Sequence, residues 1–346
     1  MRAVVFAGVG RVEVREVPEP SLLEPDDAIV RVTLTGICGS DLHFLHGKAP
    51  LEPGEQIGHE AVGIVERVGE AVETVKQGDR VVVSFDIACG VCWFCRKGQT
   101  QLCERSGILG AGAFGGDLAG TQAERVRVPV ADVNLLVLPD DVDDEAALFV
   151  GDVLSTAVAV ADLAEPSPGD AVAVIGCGPV GFLTVQALRA GDLERVLVLE
   201  RQADRLHLAA SVGAQPIDVT ARHPQSAVDE ATGGRGADVV VECVGHPDAF
   251  ETAIDVVRRG GRVVVAGMYA GETIEAQLGS WWIRALELRF SGMCPVHAYW
   301  ERALGELVAG RIDPRPLISH RLPLSAAQQA YRLFDTREAT KVVLRP

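Results

Sequence analysis

The sequence has few cysteines for a protein stabilised by disulfides: eight in 346 residues. Small secreted domains that depend on disulfides have a much higher density. The N-terminal stretch MRAVVFAGVGRVEVREV has no long apolar run behind a basic cluster and no small-residue cleavage site, so we expect no secretory signal peptide. We therefore predict a cytoplasmic protein with reduced thiols, in which clustered cysteines usually bind a metal or take part in catalysis.

Long apolar runs and basic charge are also lacking. No stretch approaches the roughly 18 uncharged apolar residues that a membrane span needs, so we expect no membrane partner. The chain has 32 basic against 48 acidic residues and a net charge of −16. Because this charge repels phosphate backbones, nucleic-acid binding is not expected either.

The arrangement of the short apolar runs changes near residue 150. Before it, β-rich runs such as AIVRVTL (28–34) and DRVVVSF (79–85) are separated by glycine and acidic turns, which predicts a compact all-β domain. After it, apolar runs such as AVAVIG (171–176) alternate with amphipathic helical stretches such as FLTVQALRAG (182–191). This alternation predicts an α/β fold with a doubly wound parallel sheet.

Length and pattern together predict two domains with a C-terminal return. The first spans residues 1–151 and the parallel-sheet domain spans 152–292, where LELRFSG (286–292) is a candidate sixth strand. Since a six-stranded sheet is complete at that point, we predict that the tail, 293–346, returns to the first domain.

A glycine-rich turn follows the strand AVAVIG and precedes a helix. It reads Gly176-Cys177-Gly178-Pro179-Val180-Gly181, and the next strand ends in Glu200, nineteen residues after Gly181. Glycines permit the tight turn and the close approach of a pyrophosphate, which the helix N-terminus favours. A carboxylate at the end of the second strand can accept hydrogen bonds from a ribose. The alternative is an ordinary glycine-rich turn with a surface glutamate, but the strand–turn–helix context favours dinucleotide binding.

Two further groups of residues in the first half carry metal-binding chemistry. Cysteines occupy four of the fifteen positions in CGVCWFCRKGQTQLC (89–103), and Cys38 in GICGSDLH precedes His59 in GHE by twenty-one residues. Thiolate and imidazole are zinc ligands. A disulfide pair, an iron–sulfur site and a redox pair are the alternatives for the cysteine cluster, and Cys38 and His59 could each have only a structural role.

These motifs, in this order and spacing, resemble the zinc-dependent medium-chain alcohol dehydrogenase family, and the resemblance covers essentially the whole chain. It implies a GroES-like β domain that carries the metal sites, a Rossmann domain and a C-terminal return. Cys89, Cys92, Cys95 and Cys103 match the structural zinc lobe of the family. Four thiolates close the tetrahedron and leave no position for a substrate, so this metal would stabilise the fold.

The resemblance also implies a catalytic zinc, and therefore two zinc ions per chain. Cys38 and His59 match its first two ligands, and Glu60 matches an adjacent acid that can enter the metal shell in relatives. The third ligand is a cysteine in animal and plant members, whereas FVGDVLSTA resembles the segment of bacterial members that use aspartate, which assigns Asp152. The alternative for Asp152 is an N-cap of the following helix.

The activity implied by the resemblance is hydride transfer between an alcohol (primary, secondary or polyol) and NAD, giving the aldehyde or ketone. Ser40 matches the hydroxyl of the family's proton relay, and His43 matches its surface base. Besides the glycine turn, the candidate cofactor-binding residues are Glu200, Arg201, Arg205, Val244 and Gly267. We expect NAD rather than NADP, because Glu200 would repel a 2′-phosphate, although Arg201 and Arg205 could offset part of that repulsion.

Several alternatives stay open at this point. Within the same family they are a threonine or sugar dehydrogenase and a formaldehyde dehydrogenase that acts on a thiol adduct. A zinc-free reductase on the same fold and a zinc-finger-like binding protein are alternatives from other classes. The expected partner is a small-molecule alcohol or carbonyl compound, and the family suggests a homotetramer, with a dimer as the alternative.

Overall fold

The computed structural model describes every residue from 1 to 346 and contains two compact units. The first comprises Met1–Ser155, Pro295–Ala309 and Asp313–Pro346, and the second comprises Thr156–Cys294 and Gly310–Ile312. Asp152, which the sequence prediction placed at the start of the parallel-sheet domain, therefore lies in the first unit.

The reason is a backbone contact just before Asp152. The N–H of Phe85 donates to the carbonyl of Gly151 at 3.0 Å, and a Cβ on Gly151 would lie 2.1 Å from the carbonyl oxygen of Val83. Only glycine permits this approach, which ties the segment before Asp152 to the β domain.

The first unit is built mainly of β-strands. Its strands and helices before the division are β1 Arg2–Gly8, β2 Arg11–Glu16, β3 Ala28–Gly36, α1 Asp41–Leu45, β4 Ala61–Val68, β5 Arg80–Val83, β6 Asp86–Ile87, α2 Trp93–Arg96, β7 Gly107–Ile108, β8 Arg125–Val128, α3 Ala131–Asn134, β9 Leu135–Val137 and α4 Asp144–Ala147. Helix α5, Val153–Ala164, crosses the division between the units.

The second unit alternates strands and helices, as the sequence pattern predicts. Its elements are β10 Ala171–Ile175, α6 Pro179–Ala190, β11 Arg195–Glu200, α7 Ala203–Ser211, β12 Gln215–Asp218, α8 Pro224–Thr232, β13 Ala237–Glu242, α9 Pro247–Val256, β14 Val257–Val265, α10 Leu278–Ile283 and β15 Glu287–Phe290. The C-terminal elements, which belong to the first unit, are α11 Val296–Val308, β16 Ile318–Pro323, α12 Ala327–Asp335 and β17 Lys341–Arg345.

The sheet of the second unit has the strand order β12-β11-β10-β13-β14-β15, and every neighbouring pair is parallel. Strands β10 and β13 are buried along their whole length, because helices cover both faces of such a sheet. The predicted α/β class with a doubly wound parallel sheet is confirmed. Successive strands are added on one side of β10 up to β12 and on its other side from β13 onward. The strand order therefore reverses between β10 and β13, which is where dinucleotides bind in this fold.

The main sheet of the first unit depends on the C-terminal strands. Its order is β16-β17-β3-β4-β5-β9, with β8 also paired to β3. Strand β17 is antiparallel to β3, with Val343 opposite Gly36. The end of the chain therefore lies directly beside the segment that leads to Cys38.

No single helix is long and apolar enough to cross a membrane. The helical stretches Asp144–Gly151 and Val153–Ala164, bent by 53° relative to each other, reach the required length and composition only when taken together.

Candidate metal and cofactor sites

The four cysteines of the 89–103 segment converge on one point. Their Sγ atoms all lie within 4.8 Å of one another. The separations are 3.5 Å between Cys92 and Cys95, 3.9 Å between Cys92 and Cys103, and 4.0 Å between Cys89 and Cys95. A zinc ion with Zn–S bonds of about 2.3 Å needs sulfur atoms about 3.8 Å apart. The group therefore fits a closed tetrahedral zinc, and all four cysteines are free rather than paired in disulfides.

Backbone N–H groups prepare this lobe for thiolates. The N–H of Cys89 and that of Arg105 each donate to Sγ of Cys103 at 3.3 Å, and the N–H of Cys95 donates to Sγ of Cys92, the N-cap of α2. Burial opposes ionisation of Cys89, but the N–H groups of Val91 and Cys92 outweigh it and lower the pKa of Cys89 to about 6. The sulfur ligands and the N–H groups that donate to them all come from one short segment, so the lobe is a local structure.

Cys38, His59 and Asp152 form a second group, whose ligand atoms also lie within 4.8 Å of one another. Cys38 lies between β3 and α1, His59 precedes β4, and Asp152 follows a 3-10 turn before α5. Nε2 of His59 is 3.5 Å from Oδ2 of Asp152, close to the roughly 3.3 Å expected between two ligand atoms of a tetrahedral zinc. One sulfur, one nitrogen and one oxygen donor fit a zinc ion that keeps its fourth position open.

The ring of His59 is oriented by Asp41. Oδ1 of Asp41 lies 3.3 Å from Nδ1 of His59, while Oδ2 accepts the N–H of Cys38 at 3.0 Å. Nε2 is thereby left for the metal, as in other metal sites where a carboxylate binds the second ring nitrogen. Burial works against a charged ring, but Asp41 and Asp152 outweigh it and raise the pKa of His59 well above its usual range. A metal at Nε2 would have to displace that proton.

Glu60, the candidate fourth ligand, is not part of this group. Its carboxylate is bound by Nζ of Lys341, at 2.6 Å from Oε1, and both side chains are about 1% exposed. Nζ of Lys341 also lies 5.4 Å from the ring centroid of Phe149. A Cβ on Gly36 would lie 1.9 Å from Oε2 of Glu60, so glycine at this position makes room for the carboxylate. Glu60 therefore follows the candidate ligand His59 in the chain, but its carboxylate forms an ion pair with the buried Lys341.

A chain of buried polar side chains continues from Asp41 to helix α12. Nε2 of Gln122 donates to Oδ2 of Asp41 at 3.3 Å and to the carbonyl of Gly36 at 3.0 Å. The hydroxyl of Tyr331 donates to Oε1 of Gln122 at 3.0 Å. Asp41, Gln122 and Tyr331 are all at most 2% exposed, so these bonds are not shared with bulk water.

The two candidate residues of the proton relay lie on or next to α1. The hydroxyl of Ser40 is 3.2 Å from Nε2 of His59 and makes no side-chain cap bond to α1. His43 is half-buried in the same helix. The serine thus lies at the metal group, whereas the predicted role of His43 stays a prediction.

The glycine turn has the geometry that a dinucleotide needs. Gly176 has φ +85°, a conformation that favours glycine, and a Cβ on Gly181 would lie 2.0 Å from the carbonyl oxygen of Gly176. Gly178 is the N-cap of α6, with Pro179 at its first position. No side chain caps the N-terminus of this twelve-residue helix, so its first N–H groups can bind a phosphate.

Glu200 lies at the end of β11, but its carboxylate is 6% exposed and turned toward the backbone. It accepts the N–H groups of Cys177 at 2.9 Å, Arg201 at 2.6 Å and Gln202 at 3.0 Å. Nη1 of Arg205 is 3.8 Å from Oε2 of Glu200, while Arg201 is exposed. The predicted carboxylate is therefore at the glycine turn, together with an arginine.

Val244 and Gly267 follow β13 and β14, the strands on the other side of β10 from Glu200. A Cβ on Gly176 would lie 2.6 Å from Cγ2 of Val244, so the turn after β13 directly contacts the glycine turn. The structure thus gathers the candidate cofactor residues at one edge of the sheet.

Sequence reasoning missed Asp41, Gln122, Tyr331 and Lys341. Asp41 had a local signal, since it lies three residues after Cys38 in GICGSDLH. Lys341 is 281 residues from Glu60, and no sequence pattern links the two positions.

Comparison with known proteins agrees with this geometry. Residues 24–140 match the family described as "Alcohol dehydrogenase GroES-like domain", and residues 179–309 match "Zinc-binding dehydrogenase". A Mycobacterium tuberculosis protein named "Probable zinc-binding alcohol dehydrogenase" is 38% identical over 100% of this chain and 89% of its own length.

Two solved structures cover 100% of this chain and 99% of their own. The alcohol dehydrogenase from Thermus sp. ATN1 is 45% identical with a TM-score of 0.95. A zinc-binding dehydrogenase from Sinorhizobium meliloti, solved bound to NADP, is 32% identical with a TM-score of 0.86. The chain therefore belongs to the zinc-dependent medium-chain alcohol dehydrogenase family and is an oxidoreductase.

Proposed function

We propose that this chain is a dehydrogenase that transfers a hydride between an alcohol and NAD, with one catalytic and one structural zinc ion. The observation that carries the proposal is the difference between the two metal groups. The lobe offers four sulfur atoms, whereas Cys38, His59 and Asp152 offer only three ligand atoms of three kinds. Three protein ligands leave a position for substrate, and four do not.

Zinc held by three ligands would act as a Lewis acid that eases loss of the hydroxyl proton of an alcohol. The side chains of this protein contribute orientation and proton movement. Asp41 holds His59 so that Nε2 faces the group, and the Ser40 hydroxyl lies 3.2 Å from that nitrogen. In this proposal Ser40 accepts the substrate proton while it passes its own hydroxyl proton on, and an imidazole such as His43 can release a proton to solvent near neutral pH.

The expected preference for NAD rests on Glu200. Its carboxylate lies at the glycine turn, where it would repel a 2′-phosphate with a charge of nearly −2. Arg205 is the counter-charge, since Nη1 lies 3.8 Å from Oε2 of Glu200, and the Sinorhizobium meliloti relative was solved bound to NADP. The three backbone N–H groups that hold the carboxylate support NAD, because they keep the negative charge at the turn.

Metal analysis and turnover together test the proposal. Purified protein should contain two zinc ions per chain and should reduce NAD with at least one member of a panel of short alcohols, polyols and hydroxy amino acids. Full activity with one zinc ion or none would overturn the catalytic assignment. Asp152→Asn should lower both zinc content and turnover, since a neutral amide is a poor zinc ligand compared with a carboxylate. An Asn variant with unchanged zinc and rate would remove Asp152 from the site.

The cofactor assignment needs its own experiment. We expect kcat/KM to favour NAD over NADP by about a hundredfold, equivalent to roughly 3 kcal/mol. Glu200→Ser should narrow or reverse this ratio, whereas Arg195→Ser, at the exposed first position of β11, is the control and should change it little. Wild-type protein that uses the two cofactors equally well would refute this role of Glu200.

A further inference from the structure

Glu242 is a carboxylate that the proposed reaction does not use, and it is completely buried. It is the last residue of β13, after three valines. Oε1 accepts the N–H of Val244 at 2.6 Å and that of Gly245 at 2.9 Å, and Oε2 accepts the hydroxyl of Tyr269 at 3.0 Å. Burial raises the pKa of Glu242, and the N–H groups of Val244 and Gly245 oppose this shift, because backbone N–H groups can only donate and therefore favour the ionised carboxylate.

The backbone of the same residue holds a second turn. The carbonyl oxygen of Glu242 accepts the N–H of Ala266 at 2.8 Å and that of Gly267 at 2.9 Å. Glu242 therefore binds the turn after β13 through its carboxylate and the turn after β14 through its carbonyl.

The two turns pack backbone against backbone, beside the carboxylate of Glu242. A Cβ on Gly267 would lie 2.1 Å from the nitrogen of Gly245. Gly245 has φ +74°, and its own Cβ would lie 2.2 Å from the carbonyl oxygen of Met268. Two glycines are thus needed for this contact, and Tyr269 closes it by bonding back to Glu242.

The position of these turns in the sheet indicates what they serve. Glu200, on β11, and the glycine turn after β10 mark the adenosine and pyrophosphate ends of a bound dinucleotide. Strands β13 and β14 lie on the opposite side of β10. A dinucleotide that crosses the sheet at this point extends its nicotinamide half over the turns after β13 and β14, and Val244 there contacts Gly176.

We propose that Glu242 and Tyr269 are positioning residues for the nicotinamide half of the dinucleotide, and that the buried charge of Glu242 favours the oxidised, positively charged ring. This inference rests on the proposed function, because it assumes that the second unit binds a nicotinamide cofactor. Glu242 is completely buried, so it acts through the turns that it holds and through its electric field. Because the carboxylate is buried, the surrounding protein screens its electric field less than water would.

Binding of NAD⁺ and NADH to the purified protein, without alcohol, tests the proposal. NADH binding is followed by its fluorescence, and NAD⁺ binding by competition with NADH. In Glu242→Gln the loss of charge should raise the Kd of NAD⁺ by about tenfold, while the Kd of NADH rises clearly less. Tyr269→Phe keeps the charge and removes one hydrogen bond, so both Kd values should rise by a similar factor of about three to five.

Asp238→Asn is the matched control, since Asp238 is a buried carboxylate on the same strand, near the opposite end of the sheet. It binds Nε of Arg258 at 2.6 Å and the N–H of Ala171 at 2.8 Å. We expect this variant to lower Tm without changing either Kd. If Glu242→Gln behaves like Asp238→Asn, with a lower Tm and both Kd values unchanged, the proposal is overturned.

Two further outcomes separate failure of the positioning role from failure of the proposed function. If Glu242→Gln does not fold, Tyr269→Phe decides, and unchanged affinities in that variant would overturn the positioning role. Wild-type protein that binds neither NAD⁺ nor NADH would instead refute the proposed function, and the two failures are therefore distinguishable.

Discussion

The two candidate metal groups differ in how the chain assembles them. The lobe takes its four sulfur atoms from residues 89–103, and the N–H groups that stabilise them come from the same loop and its edge. Cys38, His59 and Asp152 come from three separate segments. Their neighbours are more distant still, because Tyr331 and Lys341 belong to the C-terminal elements.

This difference suggests a division of labour. A local loop can close a tetrahedron of identical ligands, and the result is a rigid site with no room for substrate. An open site needs ligands whose orientations are held by other side chains, since each must stay in place while the fourth position is exchanged. The following predictions test this contrast, beginning with the largest expected effect.

Cys38→Ser should remove catalysis while leaving the lobe intact. We expect turnover to fall by at least about a thousandfold, because a metal supplies several kcal/mol to such a reaction. Zinc content should fall from two ions to one, and NADH binding should be retained. The matched control is Cys294→Ser, a buried cysteine outside both groups, which should keep two zinc ions and near-normal turnover. Equal turnover of the two variants would contradict the assignment of the open site.

Cys92→Ser should affect stability instead. Structural zinc contributes folding free energy directly, so loss of one thiolate should cost on the order of 5 kcal/mol of zinc-linked stability. Urea unfolding and zinc analysis measure the loss. Molecules that remain folded should keep kcat within about threefold of wild type. A large drop in kcat at unchanged stability would show that the lobe takes part in chemistry after all.

Lys341→Met tests whether the open site depends on distant support. Removing one partner of a buried ion pair leaves an uncompensated charge, here that of Glu60, and typically costs about 3–5 kcal/mol. We expect the free energy of unfolding to fall by this amount. The double variant with Glu60→Gln should recover most of it, because both charges are then gone. A double variant as unstable as Lys341→Met alone would mean that packing over Phe149, rather than charge, is what Lys341 provides.

A polar contact between the lobe and a distant helix gives a smaller, pH-dependent effect. Nε2 of His297, in α11, lies 2.9 Å from Oδ1 of Asn134, and that oxygen accepts the N–H of Ala88 next to Cys89. Burial lowers the pKa of His297 from 6.5 to about 4. A buried neutral histidine favours the folded state fully above pH 6.5, and this contribution is lost as the pH falls toward 4.

Over this window the wild type should lose about 3 kcal/mol of unfolding free energy through His297, at 1.36 kcal/mol per pH unit. His297→Gln should have a correspondingly shallower pH dependence in urea unfolding between pH 7 and pH 4.5. His207→Gln, at an exposed position, is the control and should retain the wild-type slope. Identical slopes in all three proteins would show that His297 is protonated without cost.

Much of the fold could be predicted because its signals are local. AVAVIG and ADVVVECVG are buried valine-rich runs between amphipathic helices, and the strands β10 and β13 lie where these runs indicate. The hairpin of β1 and β2 and the helix α10 were not predicted. The structure places the division between the units after Ser155, four residues later than the prediction, because a backbone contact at Gly151 ties this segment to the first unit.

For the sites, the sequence by itself singled out the residues that form short motifs: the four lobe cysteines, Cys38, His59 and the glycine turn with Glu200. The roles of the cysteines and His59 as zinc ligands were assigned through resemblance to a family. Asp152 was reached only through resemblance to a family. The tertiary structure alone decided that Glu60 pairs with Lys341, that Tyr331 supports Asp41 through Gln122, and that Glu242 holds two turns at the cofactor edge. The physical reason is that a buried polar group must find a partner wherever the fold brings one, and these partners come from segments far apart in the chain, which no periodicity or spacing records.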